Sequence, residues 1–289
     1  MTATIIECAL NGPWTRKLQP RIPISAAECI ADGIACAEAG ASILHVHPYD
    51  ETTGQQRDDW QIYARIIEGI RSRIDIPVYP TIPLGTEGAR ALTAAERYAA
   101  TEALAMRGLL ELAAVDPGSV NFLPSAGGKS FVYANPEADI RHALGLAQHY
   151  RFIPCYAIYE PGFLRAGAAL HAQFPGTPKP LYRWMFSSDF LFGFPPVEYG
   201  LEAYLSLLEA TTPGAQWMTS GLGVDLAPLL PLTIARGGHL RVGLEDARLG
   251  IQTTNVALVE GAVKAVLANG GAVASVATMR QLLATPAAM

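Results

Sequence analysis

The sequence has 289 residues, of which 50% are hydrophobic and 16% are charged, so a large core can form and disorder by composition is not expected. The formal net charge is −5, and no run of Lys or Arg is present that would follow a phosphate backbone. This composition argues against nucleic acid as a partner and favours a small molecule.

The cysteines and the N-terminus predict the cellular compartment. Four cysteines are far apart without CxxC spacing, which predicts reduced thiols. The N-terminus lacks a basic stretch followed by an apolar signal core, and no uncharged apolar run reaches the roughly 18 residues that a membrane helix needs. We therefore expect a cytoplasmic protein without a membrane segment.

In chain order, short β-branched runs alternate with segments of helical periodicity. Strands are predicted over 4–10, 41–47, 76–82, 115–122, 152–159, 182–186, 215–219 and 239–242. Helices are predicted over 25–40, 58–72, 93–106, from 136, over 160–174, from 197, over 226–236, 254–269 and 274–283. Eight strand-then-helix repeats without a linker predict an α/β fold, a single (β/α)₈ TIM barrel over residues 1–289 with an extra C-terminal helix.

A doubly wound sheet is the alternative that the length allows. It would need a glycine-rich phosphate turn after the first strand, and the residues there, Asn11-Gly12-Pro13, do not form GxGxxG. No P-loop and no GxSxG nucleophile elbow is present either. These absences favour the barrel and argue against a serine hydrolase.

His45 and His47 lie on the second predicted strand, separated only by Val46. Side chains alternate along a strand, so both imidazoles project to the same side and can bind one metal ion. A catalytic zinc site needs about three protein ligands and one open position. Two hydrogen-bonded polar side chains at a strand end are an equally common explanation of the pair by itself.

The eighth predicted strand offers the third ligand. Arg241, Gly243 and Glu245 have the same strand parity, and Gly243 leaves space for an approaching ligand or metal. Strands two and eight both flank strand one in a barrel, so we expect Glu245 to meet His45 and His47. This donor set suits zinc acting on a carbonyl, and it also accepts manganese, cobalt or ferrous iron.

Arg241 and Asp246 place two opposite charges beside the expected metal. Asp246 is suited to take a proton alpha to a polarised carbonyl, and Arg241 to hold a carboxylate in a bidentate fork. The alternative is a structural ion pair that closes the barrel.

Together these motifs resemble the β-keto acid cleavage enzymes over nearly the full chain. The matching segments are Asn11-Gly12, His45-Val46-His47 with Asp50 and Gly54, GSVNF at 118–122, GLG at 221–223, GGHLRVGLED at 237–246, and Asn255 with the LVE of 258–260. The histidine and strand-eight motifs are specific in combination.

The resemblance implies a zinc-dependent (β/α)₈ enzyme, usually a tetramer, that condenses a β-keto acid with acetyl-CoA. The implied products are acetoacetate and the CoA thioester of the shortened acid. By position, it implies that His45, His47 and Glu245 bind zinc and that Arg241 and Asp246 form the dyad that deprotonates the substrate.

The resemblance also implies residues that line the substrate site. They are Ser119 and Thr81, which supply hydroxyl groups, together with Asn11, Asn121 and Glu160, and we expect Trp14 to line the same site.

Several positions differ from the family pattern. Members commonly have an acidic residue just beyond the strand-one glycine, where this chain has Pro13-Trp14. They commonly have Glu-x-Glu on strand five, where this chain has Cys155 and Ala157, and a His where it has Phe163.

These differences lead to an expectation about the substrate tail. An ammonium group is costly to desolvate unless a carboxylate meets it, so we expect an uncharged or apolar tail. Phe163 and Tyr79 are expected to add apolar surface to the wall. If a cationic tail is preferred instead, another carboxylate, such as that of Glu160 or Asp189, must reach it.

Two other classes of function stay open. One is a non-catalytic barrel that binds a keto acid or acyl-CoA as a sensor, and the other is a zinc hydrolase. Intact Arg241 and Asp246 favour the cleavage enzyme over the sensor, because a binding protein needs no base beside the metal. No sequence feature is distinctive of the hydrolase.

Overall fold

The computed structural model describes residues 3–84, 86–87 and 90–284. Its barrel strands are β1 Ile6–Ala9, β2 Ile43–Val46, β3 Val78–Pro80, β4 Leu112–Val115, β5 Ile153–Ile158, β6 Leu181–Phe186, β7 Trp217–Gly221 and β8 His239–Val242. All pair in parallel, in the order β3-β2-β1-β8-β7-β6-β5-β4. Because β3 also lies beside β4, the sheet curls into a nearly closed barrel, and the predicted fold is confirmed.

Helices between the strands form the outer layer. They are α1 Ala26–Ala39, α2 Trp60–Arg71, α3 Ala94–Ala105, α4 Glu137–Tyr150, α5 Pro161–His171, α6 Glu198–Thr211, α7 Leu230–Ala235 and α8 Asn255–Ala268, followed by α9 Val276–Ala284. Among the described residues, none of the helices is long and apolar enough to cross a membrane.

Local sequence explains where helices begin. Ser25 caps α1 through a capping box, in which its hydroxyl accepts from Glu28 N while the Glu28 carboxylate accepts from Ser25 N. The sequence predicts the second helix from residue 58, where Asp58 can cap it, but the cap is Asp59, whose carboxylate accepts from Gln61 N. Asp58 therefore keeps its carboxylate for other partners.

The predicted fourth strand, 115–122, is wrong. The barrel strand is β4, which ends at Val115, and Pro117, two residues further on, has no N–H with which to extend the ladder. Val120–Phe122 instead pairs antiparallel with Phe131–Tyr133 in a hairpin beyond the carboxyl end of β4. The alternating Val-Asn-Phe pattern is real, but it belongs to this hairpin.

The register of β1 brings the two ends of the chain together. Glu7 lies opposite Arg241 of β8, and Ala9 lies opposite His45 of β2. Leu10 N continues the ladder by donating to His45 O at 2.9 Å. β1 is thus the single strand that lies between the histidines of β2 and the strand-eight motif.

Two glycines with positive φ allow close packing at the seam, which is the contact of β1 with β2 and β8. Gly243, whose φ is 138°, was expected to leave space for a ligand, but β1 fills that space. A Cβ on Gly243 would overlap the carbonyl oxygen of Ala9. Gly12 has φ 64°, and a Cβ on it would lie 2.6 Å from Glu245 Cγ. The glycine that makes room for the site is therefore Gly12.

We expect Gly243→Ala to lower the free energy of unfolding by about 2 kcal/mol or more, because positive φ strains a side-chain residue and the methyl overlaps β1. Gly261→Ala is the matched control, because Gly261 is helical and a Cβ there meets nothing within 4 Å. That control should be neutral or gain roughly 0.5–1 kcal/mol. Denaturant titration measures both, and an unchanged Gly243→Ala protein would contradict the packing described here.

Candidate active site

The structure brings His45, His47 and Glu245 together at the carboxyl end of the barrel. His45 Nε2 lies 3.4 Å, and His47 Nε2 3.5 Å, from Glu245 Oε2. One potential ligand atom from each residue lies within 4.8 Å of the other two, and all three residues are buried. Strand parity places the histidines, and the order β2-β1-β8 places the carboxylate.

The chemistry of these three side chains fits a divalent metal ion. His47 Nε2 and Glu245 Oε2 are buried without a hydrogen-bond partner, which ordinarily costs roughly 1–3 kcal/mol per group. Burial lowers the pKa of His45 well below its usual value, so its imidazole is neutral. Burial raises the pKa of Glu245, but the guanidinium of Arg241 beside it, followed by the two neighbouring imidazoles, outweighs burial and holds that pKa well below its usual range. Neutral imidazole and ionised carboxylate are the forms that bind metal.

His47 is fixed by two amide side chains. Asn11 clamps its backbone, accepting from His47 N at 2.8 Å and donating to His47 O at 3.0 Å. Gln56 Oε1 lies 2.9 Å from His47 Nδ1, so Nδ1 donates and Nε2 keeps its lone pair. The Gln56 amide in turn donates to Asp58 at 3.0 and 3.2 Å. The sequence did not reveal the role of Gln56, because no pattern marks this residue. Asn11 was expected to contact the substrate, but it holds the backbone of His47 instead.

Trp14 supports the third residue of the cluster. Its Nε1 donates to Glu245 O at 2.9 Å, and its ring stacks near Phe190 at 6.3 Å between centroids. Where the family pattern has an acidic residue, this chain therefore has an aromatic wall fixed to the backbone of Glu245.

Arg241 and Asp246 form a buried bidentate pair. Arg241 Nη2 donates to Asp246 Oδ1 at 2.8 Å and Nε contacts both carboxylate oxygens at 3.0–3.1 Å. Arg241 Nη2 also lies 2.8 Å from Glu245 Oε1, and Nη1 donates to Glu7 Oε1 at 3.1 Å. Asp246 thus occupies the fork that was expected to hold a substrate carboxylate. Burial raises the pKa of Asp246 to about 6, against the opposing charge of Arg241.

A polar chain that sequence reasoning missed continues across the barrel interior. Tyr79 donates to Glu7 Oε1 at 2.6 Å and accepts from Arg183 Nη1 at 2.9 Å. Arg183 Nη2 lies 3.8 Å from Asp116 Oδ1, and Tyr133 donates to Asp116 Oδ2 at 2.8 Å. These groups lie on different strands, so only the folded register reveals the network.

A cavity of about 1000 Å³ opens above the cluster. Its aromatic wall consists of Trp14, Phe122, Phe131, Tyr133, Tyr159 and Phe190. Of the predicted site residues, His47, Glu245, Trp14 and Thr81 line it. The hairpin of residues 120–133 supplies half of the aromatic rings, which is why the sequence did not reveal this wall.

Other predicted substrate residues lie away from this wall. Ser119 and Asn121 are exposed, and Ser119 Oγ accepts from Asn135 N at 2.8 Å. Asn11 is fully buried behind His47. Glu160 accepts from Gly193 N at 3.2 Å.

The expected apolar wall of Phe163 and Tyr79 is wrong. Phe163 packs against Gly118, where a Cβ would overlap its ring, because the hairpin rather than α5 covers the cavity. Tyr79 is completely buried and points into the polar chain. Hydrophobic character alone does not distinguish a cavity wall from a core position.

Comparison with known proteins agrees with this geometry. The sequence profile of the beta-keto acid cleavage enzymes matches residues 3–284. The chain belongs to this family. The resemblance deduced from the motifs is therefore confirmed.

Two relatives and one solved structure are similar over most of the chain. The 3-oxoadipate:acetyl-CoA acetyltransferase of Cupriavidus necator is 29% identical, over 98% of this chain and 95% of that protein. The 3-keto-5-aminohexanoate cleavage enzyme of Fusobacterium nucleatum is 28% identical, over 85% and 83%. The apo structure of ObcA has a TM-score of 0.73 at 14% identity, over 91% of this chain and 65% of that one, and thus shows the same fold.

We expect the purified protein to hold about one divalent metal ion per chain, and His47→Ala to hold at least about tenfold less, because two ligands remain. His149→Ala is the control, since His149 is an exposed histidine of α4. Elemental analysis of the three proteins measures the difference. Equal metal content in wild type and His47→Ala would contradict the assignment.

Proposed function

We propose that this protein is a metal-dependent β-keto acid cleavage enzyme that condenses a β-keto acid with acetyl-CoA and releases acetoacetate and a shortened acyl-CoA. The observation that supports it is the direct contact between Glu245 of the candidate metal cluster and the buried Arg241–Asp246 pair, 2.8 Å at Arg241 Nη2. We also infer, from the family, that the ion is zinc and that the enzyme is a homotetramer.

The metal cluster has a defined role in this proposal. His45, His47 and Glu245 would hold the ion, and the chemistry that it supplies when bound is polarisation of the keto acid's carbonyl. Asn11 and Gln56 keep His47 in place, and Trp14 fixes the backbone of Glu245.

Asp246 is proposed as the base that removes a proton from the carbon next to the carbonyl. Its pKa of about 6 makes it more basic than an exposed carboxylate and still largely ionised at neutral pH. Arg241 fixes both carboxylate oxygens, so the base is held in one orientation. A sensor that only binds keto acids has no use for this arrangement.

An uncharged or apolar tail fits the aromatic wall of the cavity. The two relatives act, by their names, on a dicarboxylate and on an amino acid derivative, so the tail varies within the family. Among the carboxylates of the wall, Asp58 accepts from Gln56, Asp116 from Tyr133 and Glu96 from Thr93, and Glu245 belongs to the candidate metal cluster. Glu160 and Asp189 do not line the cavity. A cationic tail would therefore be desolvated without a dedicated partner.

The proposed activity is tested by incubating the purified protein with acetyl-CoA and a panel of β-keto acids and following acetoacetate. We expect Asp246→Asn to lower kcat by roughly 10²- to 10⁴-fold, the usual effect of removing a general base, while the metal stays bound. Asp225→Asn, an exposed carboxylate after β7, is the control. Near-wild-type turnover of Asp246→Asn would leave Asp246 as a structural partner of Arg241.

We expect kcat/KM to be higher for a β-keto acid with an uncharged tail than for an amino or trimethylammonium analogue of matched length. Each methylene buried against the aromatic wall contributes about 0.8 kcal/mol, whereas burying a cation costs several kcal/mol. Steady-state kinetics with the two substrates measures the ratio. Preference for the cation would show that a carboxylate reaches the tail.

A further inference from the structure

The segment after β2 carries a chain of three polar side chains that ends at the candidate metal cluster. Gln56 Oε1 lies 2.9 Å from His47 Nδ1, and Gln56 Nε2 donates to Asp58 Oδ1 at 3.0 Å and to Oδ2 at 3.2 Å. Gln56 and Asp58 both line the cavity. The Gln56 amide therefore joins a carboxylate of the cavity wall to an imidazole of the cluster.

The backbone of Gln56 is held in place by its neighbours. Residues 55–56 pair antiparallel with 49–50, with Gln56 opposite Tyr49. Tyr49 is buried, and its hydroxyl oxygen lies 2.6 Å from Trp14 O. Arg57 N donates to Pro48 O at 2.9 Å. Only the orientation of the Gln56 amide group is left for the side chains around it to decide.

Asp58 decides that orientation. Its two oxygens accept from the same Gln56 nitrogen, as those of an ionised carboxylate do, and the Tyr63 hydroxyl is a further donor at 3.4 Å from Oδ1. If the amide turned by half a rotation, Gln56 Oε1 would face the carboxylate, which has no proton to donate. A hydrogen bond to a charged group favours the observed orientation by roughly 10- to 100-fold.

The orientation of the amide selects the tautomer of His47. An acceptor that faces Nδ1 holds the proton on that nitrogen and leaves the lone pair on Nε2, which lies 3.5 Å from Glu245 Oε2. His45 lacks such support, because its Nδ1 is buried without a hydrogen-bond partner among the described residues. Within this part of the chain, the support from Gln56 and Asp58 is therefore specific to His47.

We propose that Asp58 is a positioning residue, which selects through Gln56 the His47 tautomer that binds the metal ion. The inference rests on the proposed function only for the metal cluster of His45, His47 and Glu245. Outer partners of a metal-binding histidine typically change metal affinity by about 10- to 100-fold. Because Asp58 acts through one amide group, its effect must disappear when that amide is removed.

The first test reads the tautomer directly. Nitrogen NMR of the full chain at about pH 8, where an ordinary imidazole is neutral, shows which ring nitrogen of His47 carries the proton, and the spectrum of His47→Ala assigns the signal. In wild type we expect the proton on Nδ1 both before and after zinc is added. In Gln56→Leu and Asp58→Lys we expect a part of it on Nε2 before zinc is added. A wild-type proton on Nε2 before zinc loading would overturn the proposal, even if no variant folds.

The second test measures zinc affinity by competition with a chelator. Gln56→Leu is expected to bind zinc roughly 10- to 100-fold more weakly than wild type. Asp58→Lys offers only donors to the amide and is expected to bind roughly tenfold more weakly or worse. Asp58→Asn should stay within about threefold of wild type, because its Oδ1 can still accept from Gln56 Nε2.

The double variant separates positioning from charge. In the Gln56→Leu background, Asp58→Lys is expected to add no more than about twofold, because the two residues act in one network. Gln55→Leu, at the exposed neighbour on the same strand, is the control and should match wild type. An equal loss from Asp58→Lys in both backgrounds would overturn the proposal, since Asp58 would then act by its charge or by supporting α2.

Turnover is measured separately from both tests. A zinc-loaded wild type that forms no acetoacetate would refute the proposed function and leave the role of Asp58 standing. Turnover together with unchanged zinc affinity in Asp58→Lys would refute the role of Asp58 and leave the proposed function standing.

Discussion

Inside the barrel, the guanidinium of Arg241 is surrounded by the carboxylates of Glu7, Glu245 and Asp246 at 2.8–3.1 Å. Burying one ion costs several kcal/mol, so this arrangement persists only because each partner offsets the desolvation of the others. The partners come from β1 and from the segment after β8. The orientations of the Asp246 and Glu245 carboxylates therefore depend on a single guanidinium.

The charge of the network is not balanced by the protein alone. Four carboxylates, those of Glu7, Asp116, Glu245 and Asp246, face the guanidiniums of Arg183 and Arg241, which leaves a formal charge of −2. Burial raises the pKa of Asp116 and of Asp246, because desolvation disfavours their charged forms. A divalent cation held by His45, His47 and Glu245 would supply the opposite charge.

Most of the fold follows from local patterns, because strand alternation, capping residues and glycines act over a few residues. The His45–His47 pair and Glu245 also follow, since parity and strand order determine their positions. Tyr79 does not, because its partners Glu7 and Arg183 are far away in the chain. Gln56 does not either, because no pattern marks it, although its partners His47 and Asp58 are near it in the chain. β4 was misplaced for a related reason: Leu112–Val115 is short and alanine-rich, and the neighbouring hairpin has the stronger alternating pattern.

The seam between β1, β2 and β8 has a consequence for the order of synthesis. His45 and His47 leave the ribosome about 200 residues before Glu245. The early strands therefore present two histidines without the carboxylate, and Glu7 of β1 has no Arg241 to pair with. Only when β8 pairs with β1 does Arg241 reach Glu7 and does Glu245 meet the two histidines. Completion of the barrel and assembly of the candidate metal cluster therefore coincide.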